Sequence, residues 1–111
     1  MDISSFKDVF AAEARDYLQS LNEDLLSFEK NPGDKETVDD MFRAAHSLKG
    51  MAGTMGFDEL AEFTHEMESV LDLLRNQELE PTADVINTLF SSVDTLEILL
   101  EQTISSEPIT P

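Results

Sequence analysis

Apolar residues recur at steps of three and four along four stretches of the chain, the spacing of a helix with one buried stripe. The first stretch runs from about Ser5 to Lys30, with Phe6, Phe10, Ala14, Tyr17, Leu21, Leu25 and Phe28 on one face. Asn31-Pro32-Gly33 stops it. The second carries Val38, Met41, Ala45, Leu48, Ala52 and Met55, with Asp34 as its cap. The third follows Gly56, with Asp58 expected at the N-cap and Leu60, Phe63, Met67, Val70, Leu71 and Leu74 turned inward. Near Asn76 it gives way to Glu80-Pro81, and Thr82 caps a fourth helix that buries Ile86, Leu89, Val93, Leu96, Leu100 and Ile104. No stretch alternates with a period of two over a strand's length. Short connections favour antiparallel neighbours, so the pattern predicts an all-α fold, an antiparallel up-down four-helix bundle over residues 1–104. Residues 105–111 lose the periodicity and read as the start of a flexible linker, as in a piece of a longer protein.

Composition narrows the function classes. The chain has 111 residues, enough for one modest core. Its net charge of -17 argues against nucleic acid, whose phosphates demand lysine and arginine, and favours a monomer through self-repulsion. There is no cysteine, so disulfides and thiolate metal sites are ruled out, which suits a cytoplasmic setting. No apolar run approaches the ~20 residues of a membrane span, and the N-terminal residues form no signal peptide. The acidity itself reads as a solvated surface rather than a docking site.

Chemistry enters on the outer face of the second helix. With about 100° per residue, Met41, Ala44, Leu48, Met51, Ala52 and Met55 fall on the side opposite His46. Beside His46 on the outer face lie Gly50 and Gly53, with Arg43 and Lys49 at about 60° to either side and Phe42 one turn before it. Glycine inside a helix costs about 1 kcal/mol relative to alanine. Two such residues therefore mean either that the helix ends there or that a partner's backbone must approach closely. On the glycines alone, the helix end is the simpler reading. An imidazole with its ordinary pKa near 6.5 is a competent nucleophile around neutrality, provided one nitrogen is free and an acceptor holds the other. Glu68, at the edge of the third helix's apolar stripe, can supply that acceptor across the groove, with His65 pointing further outward.

The run His46-Ser47-Leu48-Lys49-Gly50-Met51-Ala52-Gly53-Thr54-Met55-Gly56-Phe57 resembles the phosphorylation motif of histidine phosphotransfer (HPt) domains. The likeness is strongest to the P1 domains of chemotaxis histidine kinases. Met41-Phe42-Arg43-Ala44-Ala45 before it, and His65-Glu66-Met67-Glu68-Ser69-Val70-Leu71-Asp72 after it, resemble that family too. The resemblance implies a two-component signalling role in chemotaxis. His46 would take the γ-phosphoryl group of ATP from the kinase core of a partner subunit and pass it to an aspartate of a chemotaxis-type response regulator. Glu68 would accept a hydrogen bond from the imidazole, Lys49 would neutralise phosphoryl charge, and His65 would support the same polar cluster. Phe42, Arg43, Gly50 and Gly53 would face the docking partner. The domain would bind no cofactor or metal of its own; ATP and Mg²⁺ would belong to the kinase core, and catalysis would come from there.

Two rival readings use the same residues. A stand-alone HPt protein of a multistep phosphorelay differs only in carrying no kinase core downstream of Pro111. An acidic helical adaptor would use Met51, Met55 and Phe42 as an adhesive face without any phosphotransfer. A carboxylate-bridged di-metal bundle fails on its ligands, because Glu62-x-x-His65 is one Glu-x-x-His element and two are needed.

Overall fold

The computed structural model describes residues 3–105, with side chains over 5–105. It contains four helices: α1 (Ile3–Lys30), α2 (Lys35–Thr54), α3 (Asp58–Arg75) and α4 (Ala83–Ser105). Each packs on the one before it, α4 returns to α1, and no diagonal pair comes close among the described residues. This is the up-down bundle that the spacing predicts. Its axis carries the fully buried side chains Leu21, Leu25 and Phe28 of α1, Met41 and Leu48 of α2, Leu60 and Leu71 of α3, and Leu96 and Leu100 of α4. Side chains of this size contribute about 1.5–3 kcal/mol each when removed from water. Ser105, expected to begin the linker, is the last residue of α4, and the rest of the expected linker, 106–111, lies outside the described residues.

Caps and turns fix where the helices start and stop. Asp34 Oδ1 accepts hydrogen bonds from the Glu36 and Thr37 amides at 3.1 and 3.4 Å, and its Oδ2 accepts one from the Thr37 hydroxyl at 2.9 Å. Thr82 Oγ1 accepts from the Val85 amide at 3.3 Å, as expected of a cap. The expected cap of α3 is corrected. Phe57 occupies the N-cap position with no side-chain hydrogen bond, and Asp58 is the first helical residue. The reason is the tight α2–α3 turn. Phe57 donates its amide to the Ala52 carbonyl at 2.9 Å, and Gly56 donates to Gly53 at 3.1 Å. This six-to-one and five-to-two pattern needs its fifth residue left-handed, and that residue is Gly56, with φ of 76°.

Phe6, expected in the core, is 52% exposed. It stands on the flank of α1 that faces α2, at the rim of an open groove shared with Val9, Met51 and Met55, and not beneath a third helix. Met51 and Met55 are correspondingly half-buried. Tyr17, Phe63, Val70 and Ile104 also stand at the core's margin, while Ala11 and Leu18, not expected in the stripe, are buried on α1.

Candidate functional site

Gly50 and Gly53 do not end α2. The helix runs through both to Thr54, contrary to the simpler reading of the glycines alone. Their cost is offset by the stripe on the other side, where Leu48 and Ala52 are fully buried. A Cβ added at either glycine would meet nothing within 4 Å. Neither the backbone conformation nor the packing of this chain therefore calls for glycine there. His46, Gly50 and Gly53 follow at steps of four and three, so they share one solvent-facing strip.

The histidine on that strip is held from the side. Its Nδ1 is hydrogen-bonded to Glu68 Oε2 across the α2–α3 groove. Lys49 Nζ donates to the other carboxylate oxygen, Oε1, at 2.7 Å. His65 Nδ1 approaches that same oxygen at 3.4 Å from one turn before Glu68 on α3. The His46 side chain is 63% exposed and that of Glu68 only 9%. Burial by itself pushes the Glu68 carboxyl up, but hydrogen bonds from Lys49 and His46, reinforced by their charges, outweigh it and hold the group below its ordinary range.

An ionised carboxylate can only accept. A neutral imidazole has one N–H, so the bond to Glu68 puts that proton on Nδ1 and leaves the Nε2 lone pair available. Nε2 makes no hydrogen bond among the described residues. The arrangement is an oriented, water-facing nitrogen nucleophile with a buried acceptor behind it and a bare strip beside it.

The Hpt domain family matches residues 5–106, which include all of these side chains. The chain belongs to this family. The Hpt domain is 47% identical over 104 residues to the chemotaxis protein CheA of Bacillus subtilis, which covers 94% of this chain and 16% of that protein. The chain thus spans 11–16% of the length of such curated relatives. The CheA phosphotransferase domain from Thermotoga maritima has the same fold, with a TM-score of 0.88 and 42% identity over 95% of this chain and 100% of that one. A phosphorylated P1 domain of CheA3, solved in complex with CheY6 from R. sphaeroides, shares the fold at 22% identity and a TM-score of 0.86, over 93% of this chain and 80% of that one.

Within the Hpt domain, the structure brings His46, Glu68, Lys49 and His65 together. It does not bring Arg43 to them: the side chain is 77% exposed, and its guanidinium turns back to Asp40 at 3.9 Å. Lys49 is engaged by the carboxylate, although both cations flank His46 equally on the helical wheel. The Phe42 ring lies nearly parallel to the imidazole, with centroids 6.2 Å apart and 13° between planes. Arg75 covers Phe42, its guanidinium carbon 4.0 Å from the ring centroid, and sequence reasoning passed over it. One signal was present. Arg75 stands seven residues after Glu68, two turns along the same face of α3.

Proposed function

We propose that this domain is the phosphoacceptor and phosphotransfer unit of a chemotaxis histidine kinase, with His46 Nε2 as the atom that carries the phosphoryl group. One observation carries the reading: an exposed imidazole whose Nδ1 is tied to a buried, ionised carboxylate, leaving Nε2 outward on a strip kept clear by two glycines. In the first step the Nε2 lone pair attacks the γ-phosphorus of ATP held by the kinase core. The phosphorus–nitrogen bond forms as the bond to the ADP oxygen breaks, and the proton stays on Nδ1. In the second step a carboxylate oxygen of a response-regulator aspartate attacks the same phosphorus, and the phosphorus–nitrogen bond breaks with its electron pair returning to Nε2. Glu68 lowers the cost of both steps by holding one tautomer and stabilising the cationic character that the ring gains on bonding to phosphorus. Lys49, with one of its three donors already on Glu68, offsets part of the roughly -1.5 to -2 charge that a phosphoryl group brings. His65 keeps the second carboxylate oxygen engaged.

Gly50 and Gly53 find their reason in the partner. Since a Cβ at either position would stand in open space, clearance benefits only something that docks. ATP and Mg²⁺ belong to the kinase core in this reading, and the domain acts as substrate and donor rather than as a kinase. The response regulator as recipient is supported by the common fold with the P1 domain solved in complex with CheY6. Incubation with a chemotaxis kinase core and ATP is expected to leave an acid-labile, base-stable phosphate on this chain, and His46→Gln is expected to abolish it. Labelling that persists in that variant overturns the assignment.

A further inference from the structure

The hydrogen bond to Glu68 fixes where Nδ1 points but leaves the imidazole free to tilt about that bond. A second restraint stands against the ring. Phe42, one turn earlier on α2, is half-buried and nearly parallel to it, at a centroid separation of 6.2 Å within the range of offset aromatic pairs. Phe42 is itself covered by the Arg75 guanidinium at 4.0 Å, and Arg75 Nη2 donates to Asp72 Oδ1 at 2.7 Å. Helix α3 therefore reaches the reactive histidine twice. Glu68 reaches the nitrogen directly, and Arg75, two turns further along the same face, reaches the ring plane through an intermediary.

We infer that Arg75 is a positioning residue for the His46 imidazole, acting through Phe42. The inference rests on His46 being the phosphoacceptor only for its kinetic consequence; the restraint on the ring stands without it. A guanidinium over an aromatic face is attracted by the ring's quadrupole, and at a partly exposed site such a contact is worth a factor of about two to five in an equilibrium. Asp72 holds the guanidinium so that it caps Phe42, and the capped Phe42 limits the tilt that would swing Nε2 off the line of attack. A ring misaligned by a small angle reacts more slowly once the partner has docked, while docking itself is untouched.

The test uses the 111-residue chain in three variants: Arg75→Gln, Arg75→Lys and Phe42→Leu. The ring-proton and ring-nitrogen NMR signals of His46 report its position against Phe42 and need no kinase. Phe42→Leu is expected to shift them through loss of the ring current, Arg75→Gln to shift them part of the way, and Arg75→Lys to restore most of the native position. With a chemotaxis kinase core and ATP, Arg75→Gln is expected to lower kcat for labelling about two- to fivefold with KM for the domain unchanged. His46 signals that do not move in Arg75→Gln, or in Phe42→Leu, overturn the inference. So does a loss confined to KM, which would make Arg75 a docking contact. Labelling that survives His46→Gln defeats the proposed function instead, and leaves the spectroscopic arm able to decide the positioning claim.

Discussion

Two carboxylates in this bundle each hold a cation from a neighbouring helix, and the contrast between them isolates what burial does. On the α1–α4 seam, Glu101 receives two bonds from Arg15, at 2.9 and 3.0 Å, with both side chains about half exposed. On the α2–α3 seam, Glu68 receives Lys49 and His46 with its own side chain 9% exposed. Both carboxyls are held below their ordinary range. For Glu101 the Arg15 hydrogen bond is the chief influence, and burial, acting upward, comes second to it. For Glu68 burial is the largest single influence and acts in the opposite sense, so its partners must overcome it. The exposed pair trades one set of hydrogen bonds for water's and contributes little. The buried carboxylate has few other partners to turn to, so its bonds orient what they touch.

The largest effect expected from that contrast is kinetic. Glu68→Ala should slow labelling by a chemotaxis kinase core about ten- to a hundredfold, the usual scale for losing a group that orients a reactive imidazole. The bundle should stay folded by circular dichroism, because the stranded His46, Lys49 and His65 can all reach water. Arg15→Ala, its matched control, should leave the labelling rate unchanged. Equal losses in the two variants would erase the distinction.

The strip beside His46 gives the next largest effect. Gly50→Ala and Gly53→Ala should each raise stability by about 1 kcal/mol in a urea titration, since helix propensity improves and nothing is struck. The same variants should slow phosphoryl transfer to a response regulator severalfold. A stability loss would show that the glycines serve the fold after all.

The smallest effect is the pH dependence of stability. Because the folded-state pKa of Glu68 is lowered from 4.5, the unfolded chain binds that proton first as pH falls. The stabilisation is therefore complete above the unfolded value and drains away below about pH 4.5, as pH descends through the folded value. Glu68→Gln should flatten that acid limb when stability is followed by thermal melts from pH 6 to 3, and a limb parallel to the native one would remove Glu68 as its source.

The fold was legible because each helix had a long apolar stripe to declare it, and Asp34 and Thr82 are side chains whose chemistry marks a start. What was illegible depended on neighbours. Phe6 has the right spacing for the core, but its position at the α1–α2 rim leaves it without a helix above it. Asp58 has the right chemistry for a cap, yet the backbone turn through Gly56 gives that place to Phe57. The site divides in the same way. His46, Lys49 and Glu68 were readable from a motif and from helical angles, because each projects along a direction that its own helix fixes. Arg43 and Lys49 look equivalent on a wheel, and only the position of Glu68 across the groove separates them. The column from Arg75 through Phe42 to His46 spans two helices and depends on their axial offset, which no single-helix periodicity encodes.

Glu68 lies 22 residues from His46 along the chain and on a different helix. In an unfolded or half-assembled chain the imidazole is an ordinary surface histidine with no fixed tautomer. If His46 carries the phosphoryl group as proposed, competence to do so arrives only when α2 and α3 have docked. On the proposed function, a damaged or nascent copy would fall silent without any separate inspection step.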